Sequence, residues 1–432
     1  MGGGKLLLGL AAFLASPASA ETVTVHAGRL VDPEQGRVLS EQRIRIVDGR
    51  IAEVGPWSGP ATGEGRVIDW SGYTVLPGLI DLHTHVADGY GQTSDPAEAL
   101  KHSAAATILK GAEAARIMLE AGFTTVRDVG AYRGLSDVAL RDAIAAGQVE
   151  GPRMVVAGAY ITVPGGGGAV TGMAPDIPIP AEFRLGEVRD PAEARDRVRY
   201  LLQQGADFIK LIATGAVLAI GSEPGALELS EAEMKAACDE AAAHGSYCIA
   251  HAHGAEGIKA AIRAGARTIE HASLIDDEGI RLAKARGVWL DMDVYNGDWI
   301  EEVGTKQGWP AEYLRKNRET TDLQREGFGK AVKAGAKLSF GTDAAVYPYG
   351  LGGRQFAYMV RYGMTSMQAI RSATVEAAAA LRMEKEVGSV APGHWGDLVA
   401  VAGDPLADVS ALTRVEGVIK AGRVVKAAGT VR

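Results

Sequence analysis

Six times in this 432-residue chain, a stretch with helical patterning stops at a glycine and runs straight into a short apolar segment. The junctions are Ala121-Gly122-Phe123, Gln204-Gly205-Ala206, His244-Gly245-Ser246, Ala264-Gly265-Ala266, Arg286-Gly287-Val288 and Ala334-Gly335-Ala336. Glycine just past a helix takes the left-handed conformation that closes the last turn without a Cβ clash. Helix starts are marked too. Asp95-Pro96-Ala97-Glu98, Asp190-Pro191-Ala192-Glu193, Ser230-Glu231-Ala232-Glu233 and Thr365-Ser366-Met367-Gln368 each set a capping side chain three residues before Glu or Gln. The repeating unit is therefore strand, helix, glycine. Eight apolar strands can be counted: Val75–His85, Thr124–Val129, Arg153–Ala157, Phe208–Ala213, Tyr247–His253, Thr268–His271, Val288–Asp293 and Lys337–Asp343. Eight such units predict an α/β fold, a (β/α)8 TIM barrel over residues 77–386. An open doubly wound sheet would carry Gly-x-Gly-x-x-Gly after its first strand, and none is there.

Both ends of the chain read differently. Residues 21–76 alternate apolar and polar side chains (Val23, Val25; Ile44, Ile46; Ile51, Val54), and residues 387–432 repeat the habit at Asp397-Leu398-Val399-Ala400-Val401 and Val418-Ile419. Neither end is long enough for a domain of its own, so together they predict one small composite β-sandwich domain. Residues 1–20 read as a signal peptide: Lys5, the apolar run Leu6–Ala15, then Ala18-Ser19-Ala20 as a small-residue cleavage site. That run is well short of the ~20 apolar residues a membrane span needs. The expectation is an exported chain, periplasmic or secreted, with no stable membrane anchor. Cys238 and Cys248 either pair in an oxidising compartment or stay as buried thiols. With a net charge of −8 and no dense run of Lys or Arg, nucleic acid is not an expected partner, whereas a small molecule is. Homo-oligomerisation is left open.

The chemistry collects where barrel enzymes keep it, at the C-terminal ends of the strands. His83 and His85 are two apart on one strand, so both imidazoles point to one side. The spacing recurs at His251 and His253, and His271 ends the next strand. One His pair also fits a structural role, but five imidazoles converging with a carboxylate suit Zn2+ or a similar divalent ion. Lys210 stands inside the apolar strand Phe208-Ile209-Lys210-Leu211-Ile212. It is either half of a buried ion pair or an amine neutral enough to add carbon dioxide and become an anionic carbamate bridging two metals. Asp343, in Gly341-Thr342-Asp343, closes the eighth strand as a turn residue or a ligand.

Taken together, His83-Thr84-His85, the strand-four Lys210, His251 and His271 on strands five and six, and Asp343 on strand eight resemble the amidohydrolase superfamily with a binuclear centre. The resemblance spans nearly the whole chain after the leader, including Gly388-Ser389-Val390-Ala391-Pro392-Gly393 and Gly396-Asp397-Leu398-Val399. Ile209-Lys210-Leu211-Ile212-Ala213-Thr214-Gly215 and Ala250-His251-Ala252-His253-Gly254 are most similar to the prolidase-like, Xaa-dipeptidase or carboxypeptidase-like branch, which includes ochratoxin-hydrolysing amidases. The resemblance implies two divalent metal ions, Zn2+ first. His83, His85 and Asp343 would hold the more buried one, His251 and His271 the more exposed one, and carboxylated Lys210 would bridge them. It further implies amide hydrolysis, with Asp343 moving the proton and His253 facing the substrate carbonyl.

Relatives often carry a His in the loop after strand three, where this chain has Gly165-Gly166-Gly167-Gly168, read here as a flexible loop. Segments after strands four, seven and eight supply Val217, Leu218, Ile220, Tyr295, Trp299, Tyr347 and Tyr349 as an apolar lining. That lining fits a dipeptide or an N-acyl amino acid. A mononuclear deaminase or imidazolone hydrolase would place an acid three residues after His251, where Gly254 stands, and would leave Lys210 idle. A non-catalytic barrel would be expected to have lost ligands, and none is missing.

Overall fold

The computed structural model describes residues 22–60, 65–88, 95 and 97–431. The leader expected over residues 1–20 lies outside them. The N-terminal strands are β1 (Thr22–Asp32), β2 (Arg37–Val47), β3 (Arg50–Pro56) and β4 (Arg66–Pro77). Next come β5 (Leu79–Thr84), β6 (Phe123–Asp128), β7 (Arg153–Val156), β8 (Tyr160–Ile161), β9 (Ile209–Ile212), β10 (Cys248–Ala252), β11 (Thr268–His271), β12 (Trp289–Asp291) and β13 (Lys337–Ser339). The C-terminal end adds β14 (Leu398–Val401), β15 (Val415–Lys420), β16 (Arg423–Lys426) and β17 (Thr430–Val431).

The middle strands are all parallel, in two runs, β5-β6-β7 and β8-β9-β10-β11-β12-β13. β7 and β8 are two pieces of one stave, bent at residues 157–159. Backbone bonds join the runs at both seams. Asp207 donates to Val156 at 2.8 Å, while Leu82 donates to Phe340 (2.9 Å), Asp343 to His83 (2.8 Å) and His85 to Ala344 (2.9 Å). The result is a ring of eight staves, the expected barrel. Strands such as β9 and β10 are buried at every residue, because helices cover the outside while side chains fill the inside. The glycine punctuation holds: Gly265 and Gly287 end their helices at φ 105° and 68°, and the other four glycines of the pattern also have positive φ.

Two boundaries differ from expectation. Val75–Pro77 belongs to β4 and pairs with β14, so the first stave begins only at Leu79, past Gly78. Gly78 donates to Asp397 at 2.8 Å and sits where a Cβ would lie 2.1 Å from Thr124 Oγ1, so the crossing between domains needs a residue without a side chain. The capping signal at Asp95 opens only the 3-10 turn Glu98–Lys101, because Ser103 caps the helix that follows, Ala104–Glu120, by accepting from Ala106.

The two chain ends meet in one hydrogen-bonded sheet ordered β16-β15-β14-β4-β1-β2-β3, with β17 on β4. Val25, Ile44, Trp70, Leu398 and Ile419 form its core. Cys238 and Cys248 are joined as a disulfide with Cα atoms 5.3 Å apart, settling the alternative the sequence left open. No helix among the described residues is long and apolar enough to cross a membrane.

Candidate metal centre

One pocket opens at the C-terminal ends of the staves, and His83, His85, Lys210, His251, His253, His271 and Asp343 all line it. Each is brought there by a different stave end or by the period of two within one strand. Gly341 lets the last stave in: a Cβ there would fall 1.9 Å from Asp291 Oδ1 and 2.8 Å from His83 Cβ. His271 and Asp343 sit in the left-handed backbone region at φ 67° and 57°. Strain of that kind costs about 1–3 kcal/mol per residue and collects at functional sites.

The imidazoles are oriented from outside. His85 Nδ1 lies 2.9 Å from the Tyr160 hydroxyl and 3.3 Å from Gly130 O; since Tyr160 O–H donates to Asp88 (3.1 Å), its oxygen accepts from His85. His271 Nδ1 donates to Asp293 Oδ1 at 3.0 Å, and His251 Nε2 faces Gly215 O at 3.3 Å. Each ring so held gives its proton to an outer acceptor and turns its other nitrogen, a free lone pair, into the shared space. Burial pushes His83, His251 and His253 well below the usual imidazole range, the neutral form that ligates metal. In His271, burial is outweighed by Asp293 and Asp343, and its pKa is raised. Ligand atoms of His83, His271 and Asp343 lie within 4.8 Å of one another, as do those of His251, His253 and His271.

Asp343 bridges toward two imidazoles. Its Oδ1 is 3.1 Å from His85 Nε2 and 3.4 Å from His83 Nε2. Burial raises its pKa, but His85 and His271 overcome that and hold it below the usual carboxylate range. Lys210, 1% exposed, has no hydrogen-bond partner at Nζ, and burial lowers its pKa to about 8. An unpaired ammonium in such a place costs several kcal/mol. The donor set, with this orphaned amine beside it, fits a divalent metal centre.

The pocket wall is only partly as expected. Val217 and Leu218 line it, whereas Tyr295 and Tyr347 do not. Those two rings pack on each other at 5.0 Å in a buried cluster with Ile300, Trp309 and Tyr313, behind the wall. Ile220, Trp299 and Tyr349 are likewise not lining residues; Ile220 and Trp299 rest against that cluster, and the Tyr349 hydroxyl donates to His85 O. The glycine run is a packed turn rather than a flexible loop. Gly167 donates to Glu228 and Gly168 to Thr162, both line the pocket, and a Cβ on Gly168 would meet Ile212 at 2.7 Å.

Several contributors were not singled out from the sequence. Helix Ala311–Ala334, which connects β12 to β13, presents Asn317, Thr320, Thr321 and Gln324 to the pocket. Asp293 and Asn296 follow β12, and Asp291-Met292-Asp293 carries the same period-two signal as the His pairs. Fully buried Arg127 donates to both oxygens of Glu270, whose Oε2 lies 3.2 Å from His83 Nδ1.

Residues 74–425 match the family model described as the amidohydrolase family. The chain is 28% identical to an Aspergillus niger protein named ochratoxinase, over 96% of this chain and 89% of that one. Among solved structures, a Xaa-Pro dipeptidase with bound methionine is 35% identical, with 93% of this chain and 99% of that one covered and a TM-score of 0.87. The A. niger ochratoxinase structure is 26% identical, covering 95% and 97%, with a TM-score of 0.84.

Proposed function

The chain belongs to the amidohydrolase family and is a hydrolase of amide bonds, and from that premise we propose that it cleaves a dipeptide or an N-acyl amino acid at a two-cation centre. The reading rests above all on Lys210, a buried amine with no partner at the heart of an imidazole cluster. Its Nζ, freed of its proton, would add to carbon dioxide and lose a second proton, and the resulting anionic carbamate would serve as a metal ligand. His83, His85 and Asp343 would hold one ion, and His251 and His271 the other. When bound, divalent ions, zinc first, would lower the pKa of a bound water and polarise the scissile carbonyl.

The chain's own groups do the rest. Asp343, held as a carboxylate, accepts a proton from the attacking water and delivers it to the amide nitrogen, because an amine must be protonated before it departs. His253, with Nδ1 2.8 Å from Ser273 Oγ, turns Nε2 toward the pocket, where it can donate to the substrate carbonyl once protonated at that nitrogen. Val217, Leu218, Ile212 and Ile300 give the apolar wall for a side chain or acyl group. Export of the chain is part of the same proposal, supported by the Cys238–Cys248 disulfide. A panel of dipeptides, N-acyl amino acids, lactones and cyclic ureas offered to zinc-loaded protein tests the substrate class. Turnover of several members is expected; turnover only of lactones or cyclic ureas would refute it.

A further inference from the structure

Asn296 follows β12 at the start of a single helical turn, Asn296–Trp299, and is 5% exposed on the pocket wall. Its amide nitrogen donates to Asp293 Oδ2 at 2.6 Å and to Asp343 Oδ2 at 3.1 Å. Two carboxylates can only accept, so this orientation of the amide is forced: the NH2 group faces both acids. Asp293 in turn accepts at Oδ1 from His271 Nδ1 (3.0 Å) and Gln324 Nε2 (2.8 Å). An unbroken chain of hydrogen bonds thus runs from His271 through Asp293 and Asn296 to Asp343.

The carbonyl half of the same side chain is the odd part. Asn296 Oδ1 is buried with no hydrogen-bond partner, an arrangement that costs about 1–3 kcal/mol. A leucine of like volume would avoid that cost but would leave Asp293 Oδ2 and Asp343 Oδ2 without this donor, so the amide is there for its two N–H groups. The backbone around it is pinned. Gly297 O accepts from Asn317 Nδ2 at 2.9 Å, and a Cβ on Gly297 would lie 2.2 Å from Thr321 Oγ1. The donors therefore stand at fixed points.

Resting on the amide-hydrolase reading above, we propose that Asn296 is a positioning residue that sets the rotation of the Asp343 carboxylate. With Oδ2 held by Asn296, Oδ1 is the oxygen turned toward His83 and His85, at 3.4 and 3.1 Å. A carboxylate that must take a proton on one side and release it on the other loses rate if it rotates freely. Asn296 acts through Asp343 and also ties it to the acid that orients His271.

The test compares wild type, Asn296→Leu and Asn296→Ser, each loaded with zinc, for metal content, melting temperature, kcat, KM and the solvent deuterium isotope effect on kcat. Asn296→Leu keeps the volume and deletes both donors; Asn296→Ser keeps one hydroxyl that can serve a single acid. For the leucine variant, kcat is expected to fall by about 10- to 100-fold with KM within about twofold. Metal content should stay at the wild-type level and the isotope effect should rise as proton transfer becomes limiting, with the serine variant between the two. Full activity in Asn296→Leu would overturn the proposal, as would a loss of activity that merely follows a loss of metal in both variants. If wild type itself turned over no amide, the amide-hydrolase reading would fall instead, and that failure is visible without either variant.

Discussion

At the scale of single residues, Arg127 shows how the site is held from behind. It is fully buried, donates through Nε to Leu82 O at 2.6 Å and through one terminal nitrogen to both oxygens of Glu270, which stands beside His83. Arg127→Met would strand a buried carboxylate, and such losses run to about 3–5 kcal/mol. Urea denaturation should show that fall, with Arg127→Met/Glu270→Leu recovering part of it; a single variant as stable as wild type would contradict the pairing. Lys210 makes a pH prediction. Its pKa is lowered to about 8, and only the neutral amine adds carbon dioxide, so the reactive fraction grows as pH rises through that value. At a fixed concentration of dissolved carbon dioxide, metal-free protein given zinc should therefore regain activity faster at pH ~9 than at pH ~7, and recovery at the same rate at both pH values would contradict this. Lys210 could be singled out in the sequence because a charge in an apolar strand is conspicuous. Asp293 carries a period-two signal beside Asp291, but Asn296 carries none, since its meaning lies in Asp293 and in Asp343 past β13, which only the closed barrel brings together.

At the scale of elements, the helix–glycine–strand punctuation was readable because it is local: a cap, an apolar stripe and a C-terminal glycine are all within a dozen or so residues. The break at Gly78 was not, because β4 and β5 form one apolar run whose division depends on which sheet each half pairs with. Helix Ala311–Ala334 is the barrel helix between β12 and β13, and nothing local in its sequence marks Asn317, Thr320, Thr321 and Gln324 as facing the pocket. The disulfide ties helix Glu231–Ala243 to β10, the stave that carries His251 and His253. Closing so short a loop restrains the unfolded chain by roughly 2–3 kcal/mol. Denaturation with and without reductant should differ by that amount; an unchanged midpoint would mean the bond contributes nothing. Gly341→Ala should be worse than loss of the disulfide, because its Cβ has no room beside Asp291 and His83. Insoluble protein, or loss of both melting cooperativity and metal content, is expected, and a normal melt would refute the close packing.

At the scale of the whole molecule, the barrel and the terminal sheet share a core. Val399, Val401, Val415 and Val418 of the C-terminal strands belong to the same buried cluster as Leu119 and Phe123 of the barrel. Residues 77–386 expressed alone would expose that face and should aggregate or melt without cooperativity; a sharp, reversible transition would show the barrel to be independent. Composition and strand count were enough to foresee this architecture, while the seam between domains needed the register of β14 on β4. In the proposed function the imidazoles, Asp343 and Lys210 form one centre for two cations. Its most direct test is the number of metal ions per chain, measured by mass spectrometry on the same zinc-loaded samples of wild type and Lys210→Ala whose amide turnover is assayed. Two ions per active wild-type chain, falling together with activity in Lys210→Ala, is the predicted result; one ion per fully active chain, unchanged by the substitution, would contradict it.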